Sequence, residues 1–92
     1  KEYRQQLEGF LSERWEVPIH LIESQFTAEI QFEITKKGRL LSWSMKESTN
    51  AVFNKSVKKL LKNLQFLPSL PESYPKDSYK FGVRFSPANL QL

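Results

Sequence analysis

The residues that could do acid–base or metal chemistry are few and scattered. His20 is the only histidine, set beside Pro18 and Ile19 with no cysteine, aspartate or second histidine nearby. A general base or metal site needs such partners to orient the ring and hold its charge. Asp77 is the only aspartate and falls in a loop, where it suits turn chemistry. Glu29 and Glu33 share one side of an alternating segment, a spacing that could pair carboxylates for acid–base work. An open sheet face offers no pocket to push one of the two pKa values up, so they read as solubilising or cross-strand charges. The chain has no cysteine, which excludes disulfides, thiolate nucleophiles and cysteine–metal sites. Its three isolated glycines form no phosphate loop. No cofactor, metal site or catalytic residue is expected, and the chain reads as a binding module.

Charge gives a second kind of candidate. Lys55, Lys58, Lys59 and Lys62 fall on the outer half of one helix, and the chain carries a net charge of +4. Such a stripe suits nucleic acid, anionic lipid or an acidic protein, or it is simply a solvated helix face. The aromatic residues that would stack bases sit on inward registers instead, so no nucleic-acid partner is expected.

The elements that position these residues follow from hydrophobic period. Tyr3, Leu7, Phe10, Leu11 and Trp15 make one face of an amphipathic helix over Lys1 to about Trp15, which Pro18 stops. Ile19 to Ser24 connects it to a strand over Gln25–Thr35, where Phe26, Ala28, Ile30, Phe32 and Ile34 alternate with polar residues. Lys36-Lys37-Gly38-Arg39 turns the chain, with Gly38 suited to positive φ. A second strand over Leu40 to about Lys46 then places Leu41, Trp43 and Met45 inward. Ser48, Thr49 and Asn50 offer caps for a second helix over roughly Ala51–Leu64, buried through Phe53, Val57, Leu60, Leu61 and Leu64. A proline-rich connector leads to a last strand, Ser78–Ser86, with Tyr79, Phe81, Val83 and Phe85 inward. Pro87 closes it, and the tail to Leu92 is expected to be loose.

The expected fold is therefore α+β, in the order α-β-β-α-β, as one domain over residues 1–92. It has a three-stranded antiparallel sheet with both helices on one face. Glu29 and Glu33 facing Lys80 and Arg84 point to strand order 2-1-3, with the second and third strands as edges. An unpaired edge is a template for a strand from another protein. The expected partner-binding residues are Tyr79, Lys80, Phe81, Gly82, Val83, Arg84, Phe85 and Ser86. Lys80 and Arg84 would select acidic or polar side chains, and Gly82 would allow close backbone approach. No apolar run approaches the length of a membrane span. The chain opens inside a helical pattern without an initiator Met, so a longer parent is expected.

The order of these residues resembles the TolA/TonB C-terminal superfamily. Tyr3, Trp15 and Pro18 fit its first helix, and Lys37-Gly38 stands at its hairpin turn. The stretch Ser48-Thr49-Asn50-Ala51-Val52-Phe53-Asn54-Lys55-Ser56-Val57 is similar to the opening of its second helix, with Asn54 in place of the usual Asp. Leu67-Pro68-Ser69-Leu70-Pro71 and Phe85-Ser86-Pro87 complete the match, and the early Trp-Pro and late Phe-Ser-Pro resemble TolA more than TonB. The resemblance implies a periplasmic terminus of an inner-membrane energy-transducing protein, tethered through an N-terminal anchor. It implies strand addition as the binding mode. Implied partners are TolB-like or peptidoglycan-associated proteins, bacteriocins or phage coat proteins, or the TonB box of outer-membrane receptors. A monomer or weak dimer is implied, with no cofactor.

Overall fold

A computed structural model describes residues 2–92. The elements run α1 (Glu2–Arg14), a 3-10 turn (Ile19–Leu21), β1 (Ala28–Thr35), β2 (Leu40–Lys46), α2 (Ala51–Lys62), β3 (Ser78–Phe85) and β4 (Leu90–Gln91). The strands form one sheet in the order β2-β1-β3-β4, antiparallel throughout. The expected 2-1-3 order is present, extended by a fourth strand. The proposed start of the first helix at Lys1 lies outside the described residues.

The period-two face of β1 is buried as read: Ala28, Ile30, Phe32 and Ile34 are all inside. The strand begins at Ala28 and not at Gln25, while Phe26 packs half-buried with its ring 6.4 Å from that of Phe53. Both helices lie over this face. Leu7 and Leu11 of α1 and Phe53, Val57 and Leu61 of α2 are fully or almost fully buried. Truncating any one of them to Ala should cost about 2–5 kcal/mol. Trp15 wedges between the layers, 5.7 Å from Phe53 of α2 and 5.1 Å from Phe85 of β3, edge-on to both. Its indole N–H donates to Ser56 Oγ at 3.2 Å, which satisfies the polar handle of a buried Trp. At the other end of α1, the Tyr3 hydroxyl donates to Pro68 O at 2.7 Å. α1 thus meets the first half of α2 with its C-terminus and the segment beyond α2 with its N-terminus, so the helices run antiparallel.

The capping region is more connected than its sequence shows. Asn50 Oδ1 accepts from Phe53 N–H at 2.9 Å, the N-cap bond of α2. Asn54 is the one buried polar side chain among the described residues. Its Oδ1 accepts from Ser48 N–H (2.8 Å) and Oγ–H (2.7 Å), and its Nδ2 donates to Ser48 O at 3.0 Å. The amide uses both of its ends here, which a carboxylate could not do.

Two expectations fail at β2 and at the tail. Leu41 is not inward: it is 52% exposed, because Ile34 pairs with Leu40 while Glu33 pairs with Ser42, leaving Leu41 as an extra, bulged residue. Leu40 and Met45 pack half-buried against the core instead, while Trp43, expected inward and opposite Phe32, is 36% exposed because no helix covers this edge of the sheet. Gly38 does take positive φ, at 94°, and a Cβ there would collide with the carbonyl of Leu67. The tail is not loose. Ser86 turns the chain, its N–H donating to Asn89 O at 3.0 Å, and Leu90 buries itself as β4 pairs with β3.

Candidate functional site

The two sheet edges differ in how much main chain they leave open. Along a strand, successive residues aim their N–H and C=O to opposite sides. Lys36 N–H donates to Asp77 O at 2.9 Å, which places the odd-numbered residues of β3 on the β1 ladder. Ser86 N–H bonding toward Asn89 places the even-numbered ones on the outer side. Arg84 is met there by Gln91 of β4. At the other end, the Tyr74 hydroxyl donates to Ser78 O at 2.7 Å. The open groups are therefore the N–H of Ser78 and both groups of Lys80 and Gly82. They occupy a strip about 13 Å long at roughly 3.3 Å per residue.

The start of β2 is closed by the segment after α2: Leu40 N–H donates to Gln65 O and Leu67 N–H to Gly38 O, with Arg39 bridged to Phe66. By the same alternation Trp43 and Met45 present their main chain outward farther along, beside an exposed Leu41.

Each flank of the β3 strip has its own chemistry. On the helix side the Tyr79 ring lies 5.5 Å from Phe81, 5.6 Å from Tyr74 and 6.0 Å from Tyr3, an aromatic border along the open strip. The Tyr3 phenol, half-buried there and beside Tyr79, has its pKa pushed up to about 12 by loss of solvent and by Tyr79. On the solvent side Arg84 Nη2 sits 3.4 Å from Glu29 Oε2, the cross-strand pairing expected from charge, and Lys80 stands opposite Glu33. The space over Gly82 is taken by the Gln31 amide, since a Cβ there would lie 2.7 Å from Nε2. Close approach at Gly82 is thus an in-sheet matter for Gln31, while the outward main chain stays open. A shallow hollow of 290 Å³ between Glu29, Gln31, Arg84, Gln91 and Leu92 lies where the open strip meets β4.

Of the eight expected partner-binding residues, Tyr79, Phe81, Val83 and Phe85 use their main chain on β1, and Ser86 lies in the turn beyond β3. Lys80, Gly82 and Arg84 aim theirs outward, with Arg84 already paired by β4. The sequence reading missed β4 and the Tyr74 cap. The signal for β4 was the Ser86-Pro87-Ala88-Asn89 turn followed by Leu90 and Leu92 at alternating positions. The remaining candidates do not converge. His20 is exposed in the 3-10 turn, Asp77 is exposed, and among the described residues no group of three His, Cys, Asp or Glu could hold a metal ion. The four lysines of α2 lie on its outer side, away from the strip.

The sequence profile described as TonB C terminal matches residues 1–85. The chain belongs to the TonB C-terminal family. Domains of this family are protein-interaction domains, not enzymes, and are periplasmic parts of inner-membrane-anchored proteins. No curated protein matches the chain. Its fold is similar to that in "The structure of HasB CTD", with a TM-score of 0.60 at 18% identity over 94% of this chain and 69% of that one. No helix among the described residues is long and apolar enough to cross a membrane.

Proposed function

We propose that this TonB-type domain captures an extended segment of a partner protein by strand addition on the outer side of β3. The observation that carries this reading is the strip of open main-chain groups at Ser78, Lys80 and Gly82, closed off by Tyr74 at one end and β4 at the other. Main-chain pairing supplies affinity, while the aromatic border and Lys80 and Arg84 read alternate side chains of the ligand. β4 holds only Leu90 and Gln91, so a longer ligand strand can displace it and continue over Arg84 to Ser86.

The partner is an outer-membrane receptor's TonB-box segment in a periplasmic energy-transducing system. The family match over residues 1–85 supports a TonB-type partner, and a Tol-type partner such as a TolB-like or peptidoglycan-associated protein is the alternative. Synthetic TonB-box peptides titrated into the isotope-labelled domain should shift amides of Ser78–Ser86 and slow hydrogen exchange at Lys80 and Gly82. Shifts confined to Trp43 and Met45 would move the docking site to β2, and shifts confined to Lys55–Lys62 would remove strand addition altogether. Tighter binding of a TolB-derived peptide would favour the Tol-type partner.

A further inference from the structure

The lysine stripe has no part in strand capture, and its charge balance is uneven. The chain holds 14 Lys and Arg against 10 Asp and Glu. α2 contributes four of the lysines and no acid, so the rest of the chain carries ten of each sign and is neutral. All of the excess charge sits on one helix. At 100° per residue Lys55, Lys58, Lys59 and Lys62 fall within an arc of about 100°.

This arrangement works against the helix that carries it. Lys55–Lys59 and Lys58–Lys62 are i,i+4 neighbours and Lys55–Lys58 and Lys59–Lys62 are i,i+3 neighbours, so four like-charged pairs weaken α2. A face serving solubility alone would mix signs. The dipole offsets part of the repulsion at Lys59 and Lys62, which lie in the last turn. Among the described residues two acids approach: Glu47 pairs with Lys58, and Glu16 with Lys59 at 3.3 Å. Lys59 and Glu16 are 70% and 83% exposed, so that pair is readily exchanged for another anion. Lys55 and Lys62 have no ion-pair partner among the described residues. Between the lysines lies a groove of 480 Å³, bordered also by Asn54 and Asn63.

We propose that this face of α2 docks the domain on an anionic membrane surface, its lysines engaging lipid phosphates. The four lysines share the outer side of one helix, so they can meet an extended anionic surface together. It has no interleaved aromatic residue for stacking bases. Domains of this family are periplasmic, in a compartment bounded by membranes, and the choice of a bilayer rests on that family assignment. The face points away from the sheet, so a docked domain keeps the β3 strip free for a protein ligand.

The test is co-sedimentation with vesicles of phosphatidylcholine containing about one-third phosphatidylglycerol, at ~50 mM salt. The expected result is binding to these vesicles, none to pure phosphatidylcholine, and loss at several-fold higher salt. Each engaged lysine adds about fivefold to the partition coefficient, so K55Q/K62Q should lower it roughly 25-fold. Glutamine keeps helix propensity and removes repulsion, so the variant should melt no lower than the parent, which separates lost docking from lost fold. Equal binding to neutral vesicles, or unchanged binding by the variant with all four lysines replaced by Gln, overturns the proposal. So does a clear preference for duplex DNA over the anionic vesicles. Peptide capture on β3 is measured separately and is unaffected by any of these outcomes.

Discussion

A proline at position 80 separates the open edge of β3 from its ladder. The Lys80 N–H points away from β1, so Lys80→Pro removes no bond of the β1–β3 register, in which Lys80 faces Glu33 across a non-bonded pair. Proline is tolerated on edge strands for this reason. The free domain loses a donor that water was already satisfying, plus some strain as φ is drawn toward −65°, and the cost should be about 1 kcal/mol. A ligand strand suffers more. It loses the bond from position 80, and the ring stands in the plane through which it must approach, weakening the neighbouring bond at Gly82. Two net hydrogen bonds of about 1 kcal/mol each correspond to roughly 30-fold in Kd. Tyr79→Pro is the contrast, because it removes an N–H on the β1 ladder and should destabilise by about 3 kcal/mol or more. Lys80→Ala removes the side-chain charge and keeps the N–H, and should leave peptide affinity within about threefold. Urea melts and peptide titrations of the three variants provide the comparison. If Lys80→Pro binds peptide like the parent while remaining folded, the ligand does not pair with β3 and the reasoning fails.

Three further outcomes test the surrounding structure. Leu90→Asp places a charge where β4 is buried, so it should free the strand, lower stability by about 1–3 kcal/mol and raise affinity for peptides long enough to reach Ser86, read by calorimetry. Asn54→Ala leaves Ser48 N–H without its acceptor and Ser48 O without its donor, while the hydroxyl keeps Asn50 O, and it should cost about 2–3 kcal/mol in a urea melt. Tyr3 has a folded-state pKa near 12 against 10.0 when unfolded, so its neutral form stabilises the fold fully below pH 10 and that contribution is lost as pH rises toward 12. Tyr3→Phe should be less stable than the parent at pH 8 by about 1 kcal/mol through the lost bond to Pro68. The gap should narrow between pH 10 and 12, measured by thermal melts across that range.

What could be read from sequence was what local period and cross-strand charge determine. The alternation from Ala28 to Thr35 fixes one buried face, and Glu29 facing Arg84 places β3 beside β1, as the ion pair at 3.4 Å bears out. The stripe from Phe53 to Leu64 packs as its spacing predicts. Leu41 was misplaced because alternation carries no mark of a bulge: the extra residue between Ser42 and Leu40 reverses the side of everything before it. β4 escaped because the Ser86–Asn89 turn signal is followed by only two strand residues, too few to establish a period, and the Leu92 N–H bond to Glu8 at 3.4 Å depends on the folded whole. The same holds for Tyr74, whose hydroxyl reaches Ser78 O only because the connector folds back over the start of β3.

These two late features explain how an open edge can be kept without inviting indiscriminate pairing. An edge strand eight residues long and apolar on one face is an aggregation hazard if left open. Here Tyr74 removes an acceptor at one end, β4 covers the other, and Lys80 charges the middle. What remains is a strip too short to nucleate a stable strand pair by itself. An incoming chain gains further length only by displacing β4, so a two-residue strand held by one buried leucine sets the threshold for pairing. Ligands able to pair past Gly82 offset that displacement, and shorter ones do not. Affinity should therefore rise steeply with peptide length once the ligand reaches Arg84 in the parent, and smoothly in Leu90→Asp. A length series showing the same smooth rise in both proteins would remove β4 from that role.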